Sequence, residues 1–158
     1  MATEAQYLSG LGPFIRCQEL VLKAGTLAAG VYTASVNLPA GSHLFDILVE
    51  GVALWDNGTS ATLIVGDGTD DDGYFTGVNL KATDLLAGES LSFAMAGGKA
   101  GADIANSQVN RRYTGGERTI TAKVTTVGTA PTTGETRVLV IWGQPSPAVR
   151  TEQTYTAS

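Results

Sequence analysis

The sequence predicts an all-β protein: an antiparallel two-sheet sandwich, jelly-roll-like, with extended terminal arms. Three observations carry this. Several runs alternate apolar and polar residues with the period of two that a half-buried strand requires. Clusters of Gly, Asn, Asp, Ser and Pro part those runs at short intervals, and 20 glycines supply the positive-φ positions of tight β connections. Helix signals are almost absent.

Residues 1–13 contain Gly10, Gly12 and Pro13 without periodicity and read as an N-terminal arm. A first strand falls within residues 14–22. Its alternation blurs around Gln18–Leu20, where a bulge is one explanation. Tyr32, Ala34, Val36 and Leu38 then alternate with Thr33, Ser35 and Asn37. From Leu44 onward, Phe45, Ile47 and Val49 form one strand face, with Asp46 and Glu50 on the other. Ala61, Leu63 and Val65 mark a short strand, and Leu91, Phe93 and Met95 alternate with Ser90 and Ser92. Ile120, Ala122 and Val124 alternate with Thr119, Thr121, Lys123 and Thr125, a run rich in β-branched residues. The one helix candidate is a single turn, with Thr83 as N-cap, Asp84 to Ala87 as its body and Gly88 as its stop. The sandwich domain therefore spans 14–143. Residues 144–158, with Pro145, Pro147 and a polar tail, read as a C-terminal arm.

Two segments are apolar on both faces: Ile47-Leu48-Val49 and Val138-Leu139-Val140-Ile141-Trp142. In a two-layer sandwich one face of each strand meets water, so a loop or another subunit must cover the second face. Leu48, Leu139 and Ile141 are the candidate oligomer interface. Composition points the same way. Only 16% of the 158 residues are charged, against about 25% in typical domains, which leaves few side chains to resist association. The net charge of −5, with Arg111-Arg112 as the densest basic spot, argues against a nucleic-acid partner. No apolar run approaches the roughly 18–20 residues of a membrane span, and residues 1–6 lack the features of a secretory signal, so synthesis in a cytoplasm is expected. The single cysteine, Cys17, allows no internal disulfide. It reads as a packed, inert thiol, with a reactive or bridging thiol as the alternative.

Catalytic patterns are missing. The one histidine, His43, sits in a Gly-Ser-His turn, and no nucleophile elbow, His-Glu-x-x-His pair, phosphate loop or Cys-x-x-Cys occurs. No catalytic residue, cofactor or metal is expected. If a cation such as calcium were held, its ligands would be Asp67, Asp70, Asp71 and Asp72, four carboxylates within seven residues. The loop fails the EF-hand order, however, and Asp and Gly are also what a solvated turn prefers. Trp55, Tyr74, Phe75, Tyr113 and Trp142 are candidates for a sugar-stacking platform, although aromatics near strand ends more often cap a core.

The stretches Gly30-Val-Tyr-Thr-Ala-Ser-Val, Val52-Ala-Leu-Trp-Asp, Tyr74-Phe-Thr-Gly-Val-Asn-Leu and Leu85-Leu-Ala-Gly-Glu-Ser-Leu resemble tailed-bacteriophage head decoration (cement) proteins of jelly-roll type. The similarity spans roughly residues 14–143 and is one of strand grammar. It implies a structural virion protein on the capsid exterior at symmetry axes, bridging copies of the major capsid protein, and it brings no catalytic residues. Such a role suits a homodimer or homotrimer whose faces around Leu139 and Ile141 make the self-contact while the arms reach the capsid. Two other classes stay open: a phage tail or fibre receptor-binding module, and a carbohydrate-binding β-sandwich.

Overall fold

The computed structural model describes residues 14–25, 29–105 and 112–144. Eight strands occur in chain order: β1 (Phe14–Lys23), β2 (Val31–Leu38), β3 (His43–Ala53), β4 (Ser60–Asp67), β5 (Phe75–Asn79), β6 (Ser90–Leu91), β7 (Arg118–Val127) and β8 (Glu135–Gln144). They form two four-stranded sheets, ordered β1-β8-β3-β6 and β2-β7-β4-β5. Every pairing is antiparallel. This strand order is that of a jelly roll, in which two Greek keys wrap a single core.

Alternation places the core. In the first sheet Leu20, Leu22, Leu44, Ile47, Val49, Val138, Val140 and Trp142 turn inward; in the second, Leu38, Ala61, Leu63, Val65, Ile120, Ala122 and Val124 face them. Each fully buried aliphatic side chain contributes about 1.5–3 kcal/mol of transfer free energy, so the interleaved inner faces dominate stability. The outer face of the second sheet is polar and hydroxyl-rich, with Thr33, Ser35, Thr121 and Lys123 in adjacent register. Alternation in β2, β4 and β7 matches the sequence expectation residue for residue.

Four expectations are corrected. In β3 the register shifts between Leu44 and Asp46, so Leu44 is fully buried and Phe45, expected beside Ile47 and Val49, is instead 39% exposed. The alternation at Leu91, Phe93 and Met95 yields a strand of only Ser90–Leu91. The Phe93 amide donates to Asp46 Oδ1 at 2.9 Å, the chain turns through the Met95 amide onto the Ser92 carbonyl, and Met95 stays exposed. Residues 84–87 form no helix, because Asp84 is drawn off to accept the Asn79 amide at 2.7 Å and to pair with Lys99 at 2.9 Å. Short helical turns lie instead at Gly97–Lys99 and Ala102–Ala105. Finally, β1 contains no bulge: all ten residues pair with β8 in unbroken register.

Residues 1–13 and 145–158, where the arms are expected, lie outside the described residues. The strands from which they depart are partners, with Phe14 opposite Gln144. Both termini of the sandwich therefore meet at one end of the first sheet.

Candidate assembly surface

The register of β1, β8 and β3 lays out the outward face of the first sheet in rows. Ile15, Gly143 and His43 form one row; Cys17, Ile141 and Asp46 the next; then Glu19, Leu139 and Leu48; then Val21, Arg137 and Glu50. The three residues singled out in the sequence are thus brought together. Leu48 stands directly opposite Leu139, and Ile141 lies two residues along β8 on the same face. All three are half-buried by their neighbours. The face is larger than the sequence disclosed, because β1 adds Ile15 at 67% exposure, Val21 at 46% and Cys17. Cys17, expected to be packed, is an exposed free thiol, since it points outward from an edge strand.

The face is graded in chemistry. At the end where the termini meet, His43 packs its ring against Phe45 (centres 5.4 Å apart) and bridges to Tyr113, which is itself exposed. Towards the other end, Arg137 pairs with Glu19 at 3.1 Å and Lys23 with Glu135 at 3.0 Å. These exposed ion pairs each contribute little to stability, so their placement serves more to define an apolar region with a charged border. Beside that border an open cleft of about 400 Å³ is lined by Glu50, Glu89, Arg137 and Ser90 with glycine backbone. His43 begins β3 and Glu50 lies seven residues further, so the one imidazole is roughly 24 Å from this cleft along an extended strand. The cleft therefore assembles no histidine-based acid–base pair.

The acidic loop after β4 is held by its own chain. Asp67, nearly buried, accepts the amides of Thr69 at 2.8 Å and Asp70 at 3.2 Å. Asp71 pairs with Lys123 at 2.7 Å, and Asp72 accepts the Thr76 hydroxyl at 2.6 Å. That hydroxyl, with a further hydrogen bond to Asp70, holds the Asp72 carboxyl below the usual aspartate range. The carboxylates of Asp70, Asp71 and Asp72 converge within 4.8 Å of one another, while Asp67 is not among them. The loop folds so tightly over β4 that a Cβ on Gly66 would lie 2.1 Å from the Asp70 carbonyl oxygen.

Four of the five aromatic platform candidates are core residues. Tyr74 and Phe75 are wholly buried, and Trp55 and Trp142 are 2% and 5% exposed. Trp55 donates Nε1 to Thr136 Oγ1 at 3.0 Å and meets Tyr32 edge-on, with ring centres 5.1 Å apart. Tyr74 stacks on Phe93, and its hydroxyl accepts from the buried Arg118 guanidinium at 2.9 Å. Only Tyr113 presents an open ring, so these five form no stacking platform.

No protein-family model and no curated protein sequence matches the chain. Solved structures do. A chain of the cyanophage Pam1 capsid asymmetric unit aligns with a TM-score of 0.59 at 22% identity, covering 86% of this chain and 89% of that one. A chain of the acid-stable capsid of Helicobacter pylori bacteriophage KHP30 aligns with a TM-score of 0.51 at 17% identity, covering 84% and 95%. What is shared is the fold. In both cases the alignment runs over most of both chains.

Proposed function

We propose that the protein is a non-enzymatic structural component of a bacteriophage head, a decoration or cement protein that binds the outside of the capsid lattice. The observation that carries this is the outward apolar face of the first sheet, centred on Leu48, Leu139 and Ile141, on a jelly roll that matches chains from phage capsids over most of both lengths. A solvated sandwich gains nothing from exposing such a face, whereas a shell subunit gains affinity by covering it. The major capsid protein and further copies of this chain, as a homodimer or homotrimer, are the partners. The arms that continue from Phe14 and Gln144 leave beside this face and supply further contacts. Several modest contacts on one rigid body add steeply, because each later one is effectively intramolecular. The acidic chain suits a particle whose nucleic acid must stay unbound from outside.

The test is cosedimentation of the purified chain with capsid shells of its phage that lack it. Wild type should bind and raise the shells' resistance to heat, and the pair Leu139→Lys with Ile141→Lys should abolish binding while leaving a cooperative melt. Wild-type protein that ignores the shells overturns the assignment. The second reading, a sugar-binding module, loses its main support with the burial of Trp55, Tyr74, Phe75 and Trp142.

A further inference from the structure

We infer that two copies of this chain join edge to edge through β1, so that the first sheet runs on across a two-fold axis as one eight-stranded sheet. This deepens the assembly reading by naming the self-contact, and it rests on the condition of the edges. An edge strand offers a row of unpaired amides and carbonyls, and proteins that must stay single blunt such edges with short strands, bulges, prolines or charges. Two of the four edges are blunted: β6 has two residues, and β5 has five with a shifted register. β2, an edge of the second sheet, is not, but after Val31 its exposed side chains are the polar Thr33, Ser35 and Asn37. β1 is not blunted either. It has ten residues without proline or glycine, and its register with β8 is unbroken. Residues 15–19 are exposed on both faces, including Gln18, which lies opposite the buried Val140 yet is itself exposed. Its charges at Arg16 and Lys23 sit near the two ends, and Glu19 between them is already paired with Arg137.

The sequence of β1 also selects a register. Across a two-fold axis normal to the sheet, opposed residues lie on the same face, so a near-complete overlap centres on either Gln18 or Glu19. Centring on Glu19 sets two carboxylates directly opposite, which is destabilising. Centring on Gln18 sets two amides opposite, which can donate and accept between them. It also sets Ile15 against Val21 of the other copy twice over, covering two exposed apolar side chains of the strand. The second copy is thus the occupant that this edge fits.

The full-length chain is tested by sedimentation with Gln18→Glu and Gln18→Lys. Wild type should be a dimer. Each variant alone should weaken dimerisation by up to about fivefold, and mixing the two should restore it. Unchanged melting of each variant separates this from misfolding. In a Cys17→Ser background, Gln18→Cys should oxidise to a covalent dimer, since opposed Cα atoms about 4.5–5.5 Å apart suit a disulfide, whereas Thr33→Cys on the outer face of the second sheet should not. A monomer at high concentration, mixing without rescue, or equal crosslinking from Thr33 overturns the seam. Monomers that still bind shells overturn only the seam; dimers that ignore shells overturn only the head assignment.

Discussion

Gly134 shows how one position can be fixed by geometry alone. Its φ of +148° is rarely open to other residues, and a Cβ there would lie 2.5 Å from the Trp55 ring. The same ring is anchored by its hydrogen bond to Thr136 and its edge contact with Tyr32. Trp55 therefore cannot retreat without breaking a buried bond, and Gly134→Ala should destabilise the fold by about 1–3 kcal/mol through overpacking and backbone strain. Chemical denaturation of the two proteins measures this directly. A loss under about 0.5 kcal/mol would mean the ring moves freely. Cys17 teaches the complementary lesson. Its flanking residues read as apolar and therefore packed, but an edge strand turns every second residue outward whatever its neighbours are.

At the scale of elements, alternation sustained over a full strand proved readable, whereas the short run at Leu91, Phe93 and Met95 and the broken alternation of β3 and β5 did not. The alternating runs of β2, β4 and β7 needed only the period of two. β3 misled because a shift at Phe45 turns two successive inward residues, Leu44 and Ile47, three apart. β5 escaped notice for the same reason: its buried residues Phe75 and Val78 are also three apart, with Gly77 at a φ of +60° between them. Of the candidate surface, Leu48, Leu139 and Ile141 were legible because both strands are greasy on two sides. The contribution of Ile15 and Val21 was not, because a blurred strand gives no face assignment without its partner's register.

The turn before β8 carries an element-scale prediction. Asp56 accepts the Thr132 hydroxyl together with the amides of Thr132 at 2.7 Å and Thr133 at 3.0 Å. The Thr132 hydroxyl first, then the Thr133 amide, hold its carboxyl down from 3.8 to about 2. A carboxyl depressed in the folded state stabilises above its unfolded value and loses that contribution as protons are taken up. Stability should therefore fall as pH drops from about 4 to about 2. The difference in urea midpoint between wild type and Asp56→Asn should shrink over the same window, and a difference that stays constant to pH 2 would release Asp56 from this role.

For the whole molecule, the buried core among the described residues runs from Leu20 to Trp142. A chain cut to residues 14–144 should melt within a few degrees of the full chain and yet bind shells more weakly, as read by calorimetry and cosedimentation together. Collapse of the fold would show that the missing segments complete the core instead of reaching outward. Across a seam centred on Gln18, the two Phe14 positions would stand roughly 27 Å apart, so the arms would leave from opposite ends of the pair.

The pairing of Phe14 with Gln144 has one more effect. It makes the backbone almost a closed ring, so that a short peptide joining these two positions, with new termini opened in the exposed Gly128–Ala130 turn, would give a circular permutant of unchanged architecture. Payloads fused at the native and the permuted ends would then sit at different stations on the same body.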